Sequence, residues 1–151
     1  MRLQVDEILK QQLAETVDLF SQTKQAHWNV KGRDFYQLHL LFDTLAEELE
    51  ESIDEIAERA TALGGQAEGT TRMAAEMSRI PEYLPGAANG MTHVQALVER
   101  YALLAASTRE ASEQAEALED SSTADLFNDV SRKLDKNLWF LEAHLQENED
   151  R

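Results

Sequence analysis

The stretch from Asp34 to Leu63, DFYQLHLLFDTLAEELEESIDEIAERATAL, contains neither glycine nor proline and is rich in helix formers. It can hardly be anything but one long helix, about 42 Å at ~1.5 Å per residue. A rotation of about 100° per residue puts Leu38, Phe42, Leu45, Leu49, Ile53, Ile56 and Leu63 in one apolar stripe. His39, Asp43, Asp54 and Glu58 fall in a second stripe beside it, roughly 100° wide. Acids on a helix ordinarily make a solvated face. A histidine and three carboxylates in register beside the core stripe also suit a metal ion.

Spacing sharpens the second reading. His39 with Asp43, and Asp54 with Glu58, are each four residues apart, so each pair can grip one ion. The pairs are separated by roughly 22 Å along a straight helix, so no single ion joins them within one chain. The four positions are symmetric about a point between Glu48 and Leu49. An antiparallel two-fold copy therefore sets His39 against the other chain's Glu58, and Asp43 against its Asp54. A two-fold dimer makes such a site twice. Glu47 and Glu50 obey the same symmetry and would face one another across a wet, acidic strip.

The 151 residues suffice for a single domain, 1–151, with its own core. The absence of cysteine excludes disulfides, zinc fingers, Cys-ligated clusters and thiol catalysis. No run approaches 18 apolar residues and the N-terminus lacks an apolar signal core, so a cytoplasmic protein without membrane spans is expected. With 14 basic against 29 acidic residues, the formal net charge is −15. Such a chain repels nucleic acid on average and attracts cations.

Apolar periodicity predicts a first helix from Leu3 to about Val30, with Val5, Ile8, Leu9, Leu13, Val17, Phe20, Lys24 and His27 on one stripe. The short turn Lys31-Gly32-Arg33 makes the first two helices antiparallel neighbours and lets His27 approach His39. Trp28 beside it reads as core packing, with an electronic role also open. Gly64-Gly65 ends the second helix. A long connection to Gly90 follows, holding Pro81 and Pro85 and a short helix within Thr70–Arg79. The third helix is expected from Thr92, as N-cap, to about Leu118. Its buried stripe is expected to hold Val94, Leu97 or Val98, Tyr101, Leu104 or Ala105, Thr108, Ala111, Ala115 and Leu118. Ser121-Ser122-Thr123 caps the fourth, whose core face is Leu126, Val130, Leu134, Leu138, Leu141 and Leu145. His93 and His144, near helix ends, are expected at the surface. Two hairpins and one long crossover describe an all-α, ferritin-like four-helix bundle with a short extra helix in the crossover between helices 2 and 3. That class builds its bundle-core di-iron site from Glu-x-x-His, and no histidine here has a Glu three residues before it. The centre, if present, lies elsewhere, as the inter-chain spacing requires.

KQAHWNVKGRDFYQLHLLFD (Lys24 to Asp43) followed by DEIAERATALGG (Asp54 to Gly65) resembles the signature of the Dps family, the DNA-binding proteins from starved cells. RYALLA (Arg100 to Ala105) and DKNLWFLE (Asp135 to Glu142) are similar to further segments of that family, and the resemblance spans about residues 5–145. It implies a mini-ferritin, a homo-oligomeric dodecamer built from two-fold dimers. It implies ferroxidase ligands at His27, His39 and Asp43 of one subunit and Asp54 and Glu58 of its mate, with Trp28 as the aromatic residue beside the iron. It further implies Fe(II) and hydrogen peroxide as substrates, peroxide being preferred to dioxygen, and a stored Fe(III) mineral that protects against oxidative stress.

Imidazole and carboxylate ligands suit iron, with zinc or cobalt able to compete. Asp120, Asp125 and Asp129 lie where the family places its three-fold pores, and Glu47, Glu50 and Glu51 are candidates for mineral nucleation; ordinary solvated carboxylates are the alternative for both sets. The basic tail of strongly DNA-binding relatives has no counterpart in the residues present, so DNA binding is expected to be weak. The alternatives are a DNA-compacting starvation protein with secondary iron binding and a helical interaction module.

Overall fold

A computed structural model describes residues 2–87 and 89–146, so the acidic tail 147–151 lies outside the described residues. The described chain is helical, in the order α1 (Arg2–Asn29), α2 (Phe35–Ala62), α3 (Thr71–Met77), α4 (Gly90–Ala117) and α5 (Ser121–Leu145). α1 packs on α2 and α4 on α5, so the bundle is two antiparallel hairpins, and α3 lies against α1 in the crossover between them. This is the ferritin-like bundle with its extra short helix. Among the described residues no helix is long and apolar enough to cross a membrane.

The apolar stripe of α2 is buried at Leu38, Phe42, Leu45, Leu49 and Ile56, while Ile53 and Leu63 sit half-buried at its margin. Phe42, Tyr101, Leu104 and Leu134 anchor one core cluster; Leu9, Leu13, Ile56 and Phe127 anchor a second toward the other end. Burying each such side chain stabilises the fold by about 1.5–3 kcal/mol relative to leaving it exposed. Phe127 fills that second cluster although the expected α5 stripe omitted it; Leu126 takes the margin instead.

α1 departs from its expected stripe. Val17 and Phe20 are only partly buried, and Lys24 turns out of the core toward Asp43. The interior face is formed by Leu9, Leu13, Leu19 and Ala26 together with Thr16 and Thr23. Both threonines donate their hydroxyl protons to carbonyls four residues earlier, which satisfies them inside the bundle.

Two caps differ from expectation. α4 begins at Gly90 rather than after Thr92, because Asn89 Oδ1 accepts the Met91 N–H at 2.8 Å. Gly90 can start the helix there because a Cβ would meet Leu38 Cδ1 at 2.7 Å. α5 is capped not by Ser121–Thr123 but by Asp120, whose carboxylate accepts the Thr123 N–H at 3.0 Å. α2 ends as expected: Gly64 takes φ +89, the left-handed conformation that only glycine adopts without strain. His93 is also not a surface residue; it is 1% exposed, held between Tyr83 and Phe42. His144 is half-buried in the last turn of α5, bonded to the Phe140 carbonyl.

Candidate metal centre

The tight turn after α1 brings His27 and His39 face to face. Their rings stack with centroids 3.9 Å apart and planes 14° from parallel. His27 Nδ1 lies 2.6 Å from the carbonyl of His39, and His39 Nδ1 lies 2.8 Å from the carbonyl of His27. A carbonyl only accepts, so each Nδ1 carries its proton and donates. The lone pair of each neutral ring is thereby confined to Nε2, the tautomer a metal ligand needs. The His27 carbonyl belongs to the last turn of α1, where carbonyls lack helical partners, so His39 also satisfies a helix end. Phe35 extends the stack on the far side of His39, with centroids 5.0 Å apart.

Asp43, one turn after His39, completes this half. His27 Nε2 is 3.8 Å from Asp43 Oδ1, and Lys24 Nζ is 2.8 Å from the same oxygen. Hydrogen bonding to the Lys24 ammonium, with smaller attraction to the two imidazoles, holds the Asp43 carboxyl below the usual carboxylate range. Lys24 was not among the expected site residues. Its signal is its place three residues before His27 on the same helix, obscured because it interrupts an apolar stripe.

Asp54 and Glu58 lie further along α2, both exposed. Hydrogen bonding with Asp54, and then the repulsion between the two charges, holds Glu58 above the ordinary carboxylate range. The next residue, Arg59, donates from Nε to Thr123 Oγ1 at 3.0 Å and from Nη2 to Asp120 Oδ1 at 3.1 Å, fastening this end of α2 to α5. Among the described residues of one chain, no group of three or more His, Asp or Glu is gathered closely enough to hold an ion. The five expected ligands thus stand as two separate half-sets, one of His39 and Asp43 on α2 with His27 from α1, the other of Asp54 and Glu58 further along α2, all nitrogen and oxygen donors of the kind Fe(II) accepts.

Apolar side chains rim the histidine half. Trp28 is 65% exposed, so it is not core packing in this chain, and Phe35, Tyr36 and Leu40 are exposed beside it. Between the half-sets, Glu47, Glu50, Glu51, Ile53 and Asp54 line an open acidic depression. The three aspartates near the start of α5 are unequal. Asp120 caps the helix and pairs with Arg59, Asp129 pairs with Arg132 and Lys133, and Asp125 is exposed.

Comparison with known proteins places the fold. The ferritin-like domain family matches residues 6–150. The DNA protection during starvation protein of Agrobacterium fabrum is 43% identical over 140 residues, covering 93% of this chain and 86% of that one. DNA protection during starvation protein 2 of Bacillus anthracis is 36% identical over 97% of this chain and 100% of its own. The solved structure of DpsC from Streptomyces coelicolor superposes with a TM-score of 0.91 at 35% identity, over 95% of this chain and 84% of that one. A Dps protein from Vibrio cholerae, described as one of the ferritin-like diiron-carboxylate proteins, superposes at 0.90 with 28% identity, over 95% and 90% of the two chains. With the bundle, the crossover helix and relatives of this similarity spanning nearly its whole length, the chain belongs to the Dps family of ferritin-like proteins.

Proposed function

We propose that the chain is the subunit of an iron-oxidising mini-ferritin, a dodecameric shell whose centres are shared across two-fold dimers. The observation that carries this reading is the paired tautomer of His27 and His39, which aims two Nε2 lone pairs toward the Asp43 end of a half-set that one chain cannot finish. The exposed rim of Trp28, Phe35, Tyr36 and Leu40 supports a covering copy, because apolar groups around a polar site are stabilised when a partner removes them from water. The copy's Asp54 and Glu58 bring the missing carboxylates, and a cation between them relieves their mutual repulsion.

Fe(II) is the substrate and Fe(III) the product. The half-set of two imidazoles and Asp43 binds Fe(II); Asp43 can do so once Lys24 yields its place on Oδ1. Two Fe(II) give two electrons to one hydrogen peroxide, whose O–O bond breaks to two hydroxides, so no hydroxyl radical is released. Fe(III) hydrolyses and passes to a mineral in the cavity, with Glu47, Glu50 and Glu51 as nucleating carboxylates. Asp125 and Asp129 line the entrance, with Asp120 fixing the start of α5 beside them. Zinc binds the same donors and competes. The cytoplasm, reducing and rich in Fe(II), is the compartment this chemistry suits.

Stopped-flow absorbance in the near ultraviolet tests the reading. Assembled protein loaded with Fe(II) oxidises it much faster with peroxide than with air. Equal rates, or a faster reaction with dioxygen, overturn the peroxide-consuming role.

A further inference from the structure

Before α4, residues 80–87 form a strap whose first half is held by Gln22 on the Pro81 carbonyl and Arg100 on the Glu82 carbonyl, and a Tyr83–His93 pair fastens the rest. Tyr83 is 6% exposed and His93 is 1% exposed. Tyr83 Oη lies 2.6 Å from His93 Nδ1, and His93 Nε2 lies 3.0 Å from the carbonyl of Ala87. The carbonyl only accepts, so Nε2 carries the proton of the neutral ring and Nδ1 accepts from the Tyr83 hydroxyl. Both ends of one imidazole thus hold the strap, and the rings of Tyr83 and His93 stack at 5.7 Å.

The surroundings oppose a proton on that ring. From α2, Phe42 faces it. From α4 comes Arg100, 4% exposed, its guanidinium 5.5 Å from the centre of the Tyr83 ring and bonded to the carbonyls of Ala96 and Glu82. Glu82 is exposed and takes the Tyr83 N–H, and Glu99 is exposed on the outer side of Arg100. Burial pushes the His93 imidazole below its usual range.

We propose that Tyr83 and His93 form an acid-released latch, which frees the strap while the bundle stays folded. Protonation turns Nδ1 from acceptor to donor. The Tyr83 hydroxyl must then rotate and leave its own proton without a partner in an apolar pocket, and a second cation joins the Arg100 that already lies over the Tyr83 ring. The sign follows from linkage: a lowered folded-state value leaves the latch whole above about pH 6.5, and its closure weakens as pH falls below that. The strap matters to the neighbouring face because Glu82, Tyr83, Leu84 and Pro85 form one wall of a groove whose other wall includes Phe20, Lys24 and Trp28. Release in acid therefore loosens the wall that faces Lys24 and Trp28, the neighbours of the histidine half-set. This inference holds whether or not the chain oxidises iron.

Hydrogen exchange read by mass spectrometry tests it on the metal-free full chain, corrected for intrinsic exchange. Strap peptides over 80–87 lose protection about tenfold at pH 5 relative to pH 7.5, while α2 and α5 stay protected. In His93→Gln, which cannot gain the charge, strap protection no longer depends on pH. In Tyr83→Phe, which keeps the ring and removes the bond, residues 83–87 are less protected at both pH values. Strap protection unchanged in acid, loosening of all helices together, or the same pH dependence in His93→Gln overturns the latch.

Discussion

At the beginning of α2, the proposed ligands are ordered in the bare chain: two imidazoles fix each other's tautomer through the main chain, and Lys24 holds Asp43 in a bonded position. Toward its end, Asp54 and Glu58 are exposed and repel one another, and the nearest order is the Arg59 clamp behind them. The same helix thus carries one preorganised and one unsatisfied half. Preorganisation is possible at the first because a second helix of the same chain lies against it. The carboxylate half faces outward, and under the proposed reading a second copy completes it.

Subunit mixing tests that contrast with the largest effect. One variant carries His27→Ala and His39→Ala, the other Asp54→Asn and Glu58→Gln, and each alone assembles without ferroxidase activity. Co-expressed, mixed dimers hold one whole site, so roughly a quarter of all sites recover under random pairing. No recovery in verified mixed particles means that each site is built within one chain.

Stability separates the halves next. His39→Ala removes a bond to a helix-end carbonyl as well as a stacked ring, and lowers stability by about 1–3 kcal/mol in denaturant unfolding. Asp54→Asn relieves a repulsion and leaves the unfolding midpoint unchanged or raised. A midpoint that falls as far in Asp54→Asn as in His39→Ala would erase the distinction.

Titration gives a smaller but more local measure. Asp43 is lowered in the folded state, so its ion pair contributes stability above the unfolded carboxyl range that is lost as pH falls through the folded value. Glu58 is raised, so its ionisation opposes folding, a cost that grows as pH rises through the carboxylate range. Carboxyl carbon shifts in metal-free protein record both. Lys24→Met moves Asp43 up, and Asp54→Asn moves Glu58 down; carboxyls that stay put would show the partners to be misassigned.

The smallest expected effect is none at all. Neither half, nor the net charge of −15, offers phosphate a cationic surface, so duplex DNA is not retarded at physiological salt without divalent metal. A clear gel shift under those conditions restores the DNA-compacting alternative.

Helix number, order and the α2 apolar stripe were legible because a period of 3.6 over so long an uninterrupted segment leaves little else. Losses came where a residue's role depends on a neighbour remote in sequence. Lys24 read as part of an apolar stripe because its partner Asp43 lies across the hairpin. His93 read as exposed because nothing in a proline-bearing connection announces that Tyr83 reaches back to it. Trp28 read as core because large apolar residues usually are, yet it stands 65% exposed at the rim of the half-set. The caps moved to Asn89 and Asp120 because several capping residues stand in a row at each helix start, and only the backbone decides among them.

The unbroken run of α2 has one more consequence. From Asp43 to Asp54 is about three helical turns, so the helix acts as a ruler whose markings repeat only every turn. Removing one residue between them would rotate the second pair by about 100° and point it away from the first. Lengthening by whole turns would keep the phase while moving the two centres of a dimer apart. The length of α2 between the half-sets is therefore quantised: only steps of whole turns keep both pairs on one line.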